Sequence, residues 1–331
     1  MGGRSSEHDV SLASARSVLE TLDRGRYEVL PVEIARDGRF QLARAPRPEL
    51  MAAREAGLPI PLEGPPAPAL TDVDVVLPIL HGPFGEDGTV QGLLELAGIP
   101  YVGAGVTASA LAMDKDLFKS VMRDKGIPVT RSVTVREDEP VENPFGYPVF
   151  VKPARLGSSV GITKARTPAE VDDAVALAFQ HDEKILIEEF MGGVEVECSV
   201  LGNRDPVASV PGEIVAHGFS GADWYDYSAK YDEGGMDLVV PPRLPEETVE
   251  RVRELAVASF VASECEGMAR VDFFVRNGDV LVNELNTIPG FTATSVYAKL
   301  FEASGLSYAE LLDRLIELAL ERHERRSRLT F

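Results

Sequence analysis

A segment near the end of the chain constrains the fold most, because it holds two β-rich runs separated by Asn277-Gly278. An Asn-Gly pair between two such runs is the strongest short-range signal for a β-hairpin. The first run carries Arg270 and Asp272, and the second carries Glu284 and Asn286. Side chains two residues apart share one face of a strand. The segment therefore predicts a hairpin with a polar pair on each strand.

The register of this hairpin decides whether the two polar pairs meet. A plain two-residue turn would pair residue 272 with residue 283 and turn Glu284 to the other face. A three-residue loop over Arg276–Gly278, with its glycine left-handed, would pair residue 272 with residue 282 and turn both pairs the same way. If the two pairs form one site, we expect such a loop, or a bulge, at this point.

The residue types on this hairpin favour a metal site. Asp272, Glu284 and Asn286 offer only oxygen ligands, which suit hard cations such as Mg²⁺ and Mn²⁺. The alternative is a solvated hairpin with charges on its outer face. That alternative accounts for single charges, but poorly for an arginine, two carboxylates and an amide beside a Pro-Gly turn. We interpret the hairpin as a metal site.

Composition narrows the class of protein. The chain has 331 residues, 44% hydrophobic and 26% charged, which is typical of a folded protein with two or three domains. Its net charge of −20 argues against nucleic-acid and membrane partners and means that cations for an anionic ligand must be gathered locally. Neither of the two cysteines lies in a CxxC pair, and we expect a cytoplasmic protein. The basic run Arg322–Arg328 is interpreted as a solvated helix end.

The first third of the chain has an α/β pattern. Residues 11–22 have helical spacing, and residues 27–34 and 74–80 are strand-like. A Gly-rich turn such as Gly2-Gly3 normally follows a buried strand. We therefore expect that the sequence begins a few residues late and lacks that first strand.

A second candidate site follows the strand that ends at Lys152. The Gly/Ser-rich segment Gly157–Gly161 would let backbone N–H groups approach phosphate oxygens, and the lysine adds a positive charge. The segment lacks the GxxxxGK[ST] pattern of a P-loop. Its alternative is a plain hairpin loop. Lys115 is a second candidate cation, whose alternative is an ordinary lysine on a helix surface.

Three further segments contain residues that could act in a site, but each also has a purely structural interpretation. Residues 188–191, with Glu195 beyond, could offer backbone groups to a base and a carboxylate to ribose, or could be an acidic strand end. His81 opens a Gly-rich loop after the strand 74–80, where α/β ligand sites lie, and its alternative is a structural histidine. The aromatic segment 224–231 indicates a lid or a loop anchored to the core.

Taken in order, HGxxGEDGxxQG at residues 81–92 and RxDFF…NELNTxPG at residues 270–290 make the chain resemble the D-alanine–D-alanine ligases of the ATP-grasp superfamily. The resemblance runs from residue 2 to about residue 323. It implies an α/β (α+β) fold with a doubly wound N-terminal α/β domain and a two-part ATP-grasp fold. The implied domains are residues 1–114 (substrate), 115–212 (phosphate loop) and 213–331 (lid and metal site).

The resemblance also implies the reaction. ATP phosphorylates the carboxylate of one D-alanine, the amine of a second D-alanine attacks the acyl phosphate, and phosphate leaves, giving a peptidoglycan precursor. Two Mg²⁺ or Mn²⁺ ions would be held by Asp272, Glu284 and Asn286. The ATP contacts would be Lys115, Lys152 and Lys230 on the phosphates, with Glu188, Phe190, Met191 and Glu195 on adenine and ribose.

The remaining implied roles concern the two D-alanines. Glu7 would bind the ammonium of the first, and His81 would help place its carboxylate. Arg270 and the Gly290 N–H would hold the tetrahedral oxyanion, and Ser295 would bind the carboxylate of the second. The lid would close through Tyr231, hydrogen-bonded with Glu7 and Ser158.

Two alternative functions remain at this point. One is a ligase of the same fold with a D-lactate or D-serine acceptor. The lid sequence around Tyr231 favours an amine acceptor, because related D-lactate ligases commonly lack it. The other is a nucleotide-binding regulatory module without turnover, which the presence of all three implied metal ligands disfavours. The resemblance also implies a homodimer.

Overall fold

The computed structural model describes residues 1–42, 73–216 and 236–330. In the N-terminal part, residues 1–42 and 73–113 form three helices and one small antiparallel hairpin. In chain order these are α1 (His8–Thr21), β1 (Val32–Ile34), β2 (Phe40–Leu42), α2 (Thr89–Ala97) and α3 (Val106–Met113).

Among residues 1–42 and 73–113, parallel pairing consists of two single bridges, Gly2 with Ile34 and Val76 with Tyr101. The strand predicted over residues 74–80 is therefore wrong in extent, and the one predicted over 27–34 shrinks to β1. Proline accounts for both differences, since Pro31 and Pro78 have no N–H to donate to a ladder. The expectation of a missing first strand stays a prediction.

The central part is a four-stranded antiparallel sheet with one helix on each face. Its elements are α4 (Lys115–Asp124), β3 (Ser132–Arg136), β4 (Val149–Pro153), β5 (Thr163–Ala165), α5 (Pro168–Ala178) and β6 (Lys184–Glu189). The strand order is β3-β6-β4-β5. Alternate residues such as Val151 and Ile187 are buried in the same hydrophobic cluster as α5. The other face of the sheet presents Lys152 and Glu188.

The C-terminal part is a six-stranded antiparallel sheet between helices. Its elements are β7 (Val194–Gly202), β8 (Val207–Ala208), β9 (Gly212–Ala216), β10 (Met236–Val239), α6 (Glu246–Ala262), β11 (Gly267–Arg276), β12 (Asp279–Asn286), α7 (Val296–Ala303) and α8 (Tyr308–Ser327). The order is β10-β9-β7-β11-β12, and β8 also pairs with β7. One face packs on α6, and α7 and α8 cover one end of the other. The uncovered end of that second face is polar.

The hairpin β11–β12 corrects the predicted register. Its turn is the plain two-residue Asn277-Gly278, with φ of 53° and 89°, so the predicted three-residue loop is wrong. A β-bulge further along the hairpin restores the alignment of the two polar pairs: Phe273 pairs with Val282, but Asp272 pairs with Glu284. The extra residue is Asn283. The alternative prediction of a bulge is thus confirmed, at a different place.

Helix α8 connects the C-terminal sheet to the N-terminal part. Arg322 on this helix is 3% exposed and donates to the carbonyl oxygens of Gly103 and Tyr101, the latter at 2.7 Å. Its guanidinium also lies 4.3 Å from the centre of the Tyr101 ring. The prediction of a solvated helix end is therefore wrong for Arg322. The buried carbonyls, which need a donor, account for the difference.

Among the helices of the described ranges, none combines the length and the apolar character needed to cross a bilayer.

The buried arginine of α8 gives a stability prediction. Arg322→Met should lower the free energy of unfolding by about 2–3 kcal/mol, because two buried carbonyl oxygens lose their charged donor. Arg314→Met is the matched control on the same helix, since its side chain is 47% exposed and pairs only with surface glutamates. The control should change stability by less than about 0.5 kcal/mol. Equal losses in urea unfolding would contradict the assignment.

Candidate active site

The polar end of the C-terminal sheet is organised in rows across three strands. Residues paired directly in antiparallel strands share a face. Glu197 on β7, Asp272 on β11 and Glu284 on β12 form one row. Ser199, Arg270 and Asn286 form the next row. The structure therefore brings together all four polar residues predicted on the hairpin and adds Glu197.

Arg270 is the central cation of these rows. Its Nε lies 2.7 Å from Asp272 Oδ1 and 2.9 Å from Glu197 Oε2, and its Nη2 donates to Asp272 Oδ2 at 2.7 Å. Burial disfavours the charged guanidinium, but the charges of Asp272 and Glu197 outweigh it and raise the pKa of Arg270 well above its ordinary value. Arg270 is thus a permanent cation at the floor of the site.

The donor set around these rows fits a hard cation by its chemistry. Asn286 Nδ2 donates to Asp272 Oδ2 at 3.0 Å, so the amide and both Asp272 oxygens already form one network. The bulge residue Asn283 adds a buried Oδ1 without a hydrogen-bond partner in the described part of the chain. No three His, Cys, Asp or Glu side chains of residues 1–42, 73–216 and 236–330 cluster as a ready-made metal site. Two carboxylates and amide oxygens are nevertheless the ligands that Mg²⁺ takes.

The opposite wall comes from the central part of the chain. Lys115 at the start of α4 donates to Leu156 O at 2.8 Å and lies 3.4 Å from Glu284 Oε2. The Gly/Ser loop follows β4 as predicted, and Ser158 and Ser159 both have positive φ. Such strain in residues other than glycine is typical of ligand clamps. One cleft is lined by Lys115, Phe150, Lys152, Gly157, Ser158, Glu188, Glu195, Glu197, Asp272, Asn283 and Glu284.

Two buried lysines bracket Glu188. The Glu188 side chain is 1% exposed, with Oε1 2.6 Å from Lys152 Nζ and Oε2 2.5 Å from Lys119 Nζ. Burial favours the neutral acid, but the two lysines outweigh it and lower the pKa of Glu188 to about 2. The carboxylate is therefore charged and held from both sides.

The segment predicted to meet a base lies at the end of β6. Phe190 packs against Phe150, with ring centres 6.0 Å apart, and Lys164 Nζ lies 4.0 Å from the Phe190 ring centre. The carbonyl of Met191 accepts from Arg276 Nη1 at 2.8 Å, which ties this segment to the β11–β12 hairpin. Together these contacts form an apolar wall with fixed backbone.

The N-terminal part supplies a carboxylate to the mouth of the cleft. Glu7 is the residue before α1, is 7% exposed and accepts a hydrogen bond from Ser158 Oγ. Its carboxylate also lies against Gly82, where a Cβ would not fit. The predicted pair of Glu7 and Ser158 is therefore present, whereas Tyr231 and Lys230 lie outside the described residues.

His81 lies next to this carboxylate and is 4% exposed. Its Nδ1 is 3.0 Å from Ile288 O and 3.4 Å from Glu86 Oε1, and its Nε2 is 3.1 Å from Ser14 Oγ. Burial alone would lower the pKa of His81, but Glu86, Glu7 and the Ile288 carbonyl raise it above 6.5. His81 is thus disposed to carry a proton.

The Pro-Gly turn after β12 places two predicted residues side by side. A Cβ on Gly290 would lie 3.3 Å from Ser295 Oγ. Ser295 is the residue before α7, and its Oγ accepts from Thr292 N at 3.0 Å. Anions bind at helix N-termini, so this turn is suited to a carboxylate.

Two charged residues of the site, Glu197 and Lys119, were not predicted from sequence, although signals for them existed. Glu197 alternates with Glu195 in a strand, which places both on one face. Lys119 is four residues after Lys115 in a helix, which places both on one side. A single charged residue at either position is ordinary on a protein surface. The signal was the spacing of each residue from a predicted site residue, two positions in a strand and four in a helix.

The raised pKa of His81 gives a pH prediction. A histidine with a raised pKa stabilises the fold fully below pH 6.5, and this contribution is lost as pH rises through its folded-state pKa. The unfolding free energy of wild type minus that of His81→Gln should therefore shrink between pH 5.5 and 9. His323→Gln, an exposed histidine on α8, is the control. A difference that stays constant over this range would exclude a charged His81.

Comparison with known proteins matches most of the chain to one family. A family model described as the D-ala D-ala ligase N-terminus covers residues 1–104, and one described as the D-ala D-ala ligase C-terminus covers residues 121–317. A D-alanine–D-alanine ligase of Deinococcus radiodurans is 49% identical, over 97% of each chain. One of Streptomyces avermitilis is 46% identical, over 97% of this chain and 93% of that protein.

Comparison with solved structures leads to the same family. The D-alanine–D-alanine ligase of Coxiella burnetii superposes with a TM-score of 0.84 at 38% identity, covering 98% of this chain and 94% of that one. The VanG D-Ala:D-Ser ligase of Enterococcus faecalis gives 0.83 at 36% identity, covering 96% and 97%. The Bacillus anthracis D-alanine–D-alanine ligase complexed with ATP gives 0.76 at 30%, covering 98% and 97%. These matches confirm the predicted fold class, and the chain belongs to the D-alanine–D-alanine ligase family.

Proposed function

We propose that this protein joins two D-alanines to D-alanyl-D-alanine at the expense of ATP. The observation that carries the proposal is the pair of rows with Arg270 at their centre, facing a wall of lysines and a strained Gly/Ser loop. Such a site concentrates cations and carboxylates where a phosphoryl group would transfer. Family membership supports the same activity.

The reaction has two steps. The γ-phosphoryl group passes from ATP to a carboxylate oxygen of the first D-alanine, which gives D-alanyl phosphate and ADP. The neutral amine of the second D-alanine then attacks the acyl carbon, the tetrahedral intermediate collapses, and phosphate leaves as the peptide bond forms. An acyl phosphate is unstable in water, so the site must exclude solvent. A lid that contains Tyr231 would serve this purpose.

The first D-alanine would be held at the corner between α1 and the Gly/Ser loop. Glu7 offers a buried carboxylate to its ammonium group, and Ser158 fixes that carboxylate. His81, whose pKa is raised and whose ring nitrogens bind Ile288 O and Ser14 Oγ, would add positive charge near the substrate carboxylate without contacting it directly. One anion and one cation side by side match the two charges of an amino acid.

The second D-alanine would bind at the Pro-Gly turn. Ser295 at the start of α7 would donate to its carboxylate, and the Gly290 N–H would donate to the oxyanion of the intermediate. Arg270 would share that oxyanion, because a guanidinium has five N–H donors and only Nε and Nη2 serve Asp272 and Glu197.

The nucleotide would lie in the cleft between the two sheets. Lys115, Lys152 and Lys230 would contact its phosphates, and Phe190, Met191 and Glu195, beside Glu188, would contact adenine and ribose. Asp272, Glu284 and Asn286 would hold divalent cations, Mg²⁺ or Mn²⁺, which neutralise phosphate charge when bound. Dependence on ATP favours a cytoplasmic location, and a homodimer stays a prediction.

A D-serine or D-lactate acceptor is the competing specificity, and the similarity to a D-Ala:D-Ser ligase keeps D-serine in the comparison. Phosphate release should be measured with ATP, Mg²⁺ and D-alanine, and the products with D-serine and D-lactate as competitors at neutral pH. We expect D-alanyl-D-alanine as the main product. Release that does not depend on D-alanine would overturn the proposed function, and a main product with D-serine or D-lactate would change the acceptor.

The metal role gives a first prediction on turnover. Glu284→Ala should lower kcat by at least about a hundredfold, because the site loses a carboxylate ligand next to the transferring phosphoryl group. Glu302→Gln, an exposed glutamate on α7, should leave kcat unchanged. Steady-state assays at several Mg²⁺ concentrations test this. A variant with normal kcat at every Mg²⁺ concentration would remove Glu284 from the metal site.

The acceptor site gives a second prediction. Ser295→Ala should raise the KM for the second D-alanine by about tenfold with little change in kcat, since it removes one hydrogen bond to a charged carboxylate. Thr294→Ala, its exposed neighbour, is the control. If the KM of neither D-alanine changed in Ser295→Ala, the second substrate would bind elsewhere.

A further inference from the structure

Lys119 is a charged residue that the proposed reaction does not use. Its side chain is fully buried in α4, and its Nζ donates to Thr130 Oγ1 and lies 2.5 Å from Glu188 Oε2. An isolated buried ammonium is costly, so such a residue needs a compensating anion and a reason to be charged. Lys119 lies one helical turn after Lys115. Its side chain is therefore directed toward the cleft but does not reach it.

The anion that compensates Lys119 is shared. The other oxygen of Glu188 lies 2.6 Å from Lys152 Nζ, and the Lys152 side chain is 7% exposed and lines the cleft. One carboxylate therefore stands between two ammonium groups. Counted together, Lys119, Glu188 and Lys152 carry a net charge of about +1. Without Lys119 the remaining pair would be neutral.

The geometry of this triad is fixed at a second point. Lys184, at the other end of β6, lies 2.6 Å from Asp114 Oδ1 and 3.3 Å from Asp116 Oδ2. Asp114 also caps α4 by accepting from Leu117 N. Helix α4 and strand β6 are thus joined by ion pairs at two points, the start and the middle of the helix, so the distance between Lys119 and Glu188 is set by the fold.

We propose that Lys119 is a positioning residue for nucleotide binding. It offsets the negative charge of Glu188, so that the three residues together keep a net positive charge beside the nucleotide phosphates. This inference rests on the proposed function. Lys119 touches no substrate, and it acts through Glu188 and Lys152. In a protein of net charge −20, a Lys152 whose charge was fully neutralised by the buried Glu188 would not attract phosphate.

The pKa of Lys119 supports a role beyond stability. Burial lowers it to about 8, while Glu188 and Glu284 raise it and Lys152 lowers it further. The folded protein therefore holds this charge at a cost. Replacing it with an apolar side chain of similar length leaves Glu188 still paired with Lys152, so Lys119→Met should fold.

The test measures ATP affinity by calorimetry in the presence of Mg²⁺ and the absence of D-alanine. Lys119→Met should weaken ATP binding by about tenfold, because one unit charge is lost near the phosphates. At saturating ATP, kcat and both D-alanine KM values should stay within about threefold of wild type. If Lys119→Met unfolds, Lys119→Gln, which keeps a donor but no charge, should give the same loss.

A rescue variant separates this role from a structural one. Lys119→Met combined with Glu188→Gln restores the net charge of +1, so it should bind ATP more tightly than Lys119→Met alone, and Glu188→Gln alone is measured beside it to account for any contact of Glu188 with the nucleotide. Arg322→Met is the matched control: it removes a different buried cation, which binds the carbonyl oxygens of Gly103 and Tyr101 and does not line the cleft, so it should lower the melting temperature without changing ATP affinity by more than about threefold. An unchanged affinity in Lys119→Met, or a double variant as weak as the single one, would overturn the inference.

The proposed function fails by a different measurement. A wild-type protein that binds ATP but releases no phosphate with D-alanine would overturn the ligase proposal, while the affinities of the variants would still decide the role of Lys119. A wild-type protein that turns over D-alanine, with Lys119→Met binding ATP normally, would overturn the inference alone.

Discussion

The bulge at Asn283 is the constraint on which the site depends. Side chains alternate along a strand, so a slip of one residue turns every following side chain to the other face. Without the extra residue, Glu284 would point into the core that contains Val282, and Leu285 would face the cleft. With it, Asp272 and Glu284 lie directly opposite each other. A single inserted position therefore turns an ordinary hairpin into the floor of a polar site.

The cleft shares the acidic balance of the chain. The three cations Lys115, Lys152 and Arg270 lie among a larger number of carboxylates. Arg270 is held by Asp272 and Glu197, which fixes its position but also uses much of its charge. An ATP site in such a protein needs cations that are not fully neutralised by these carboxylates. The lysine wall is one source of such cations, and the proposed divalent ions would be another.

Part of this arrangement followed from sequence, because it depends on short-range rules. The spacing of Arg270 with Asp272, and of Glu284 with Asn286, predicted shared faces, and Asn-Gly predicted the turn. The position of the bulge was not predictable, since it depends on how β12 meets both β11 and the helices behind it. Arg322 was misjudged for a similar reason. Whether a charged side chain is solvated or caps buried carbonyls is decided by tertiary packing rather than by its neighbours in sequence.

The environment of Glu7 bears on which first substrate, an amino acid or a hydroxy acid, the protein would accept. Glu7 is buried against Gly82 and hydrogen-bonded by Ser158, so its carboxylate has little access to water. If an amino acid binds there, its ammonium group compensates that charge. A hydroxy acid of the same shape would leave the carboxylate facing a hydroxyl group and lose a charge pair in a dry site, which is costly. On the proposed roles, the donor position would be more selective for an amine than the acceptor position, where Ser295 would meet only a carboxylate. Variation of the acceptor among related ligases is compatible with an unchanged donor corner, because the proposed sites for the two substrates lie on separate elements of the fold.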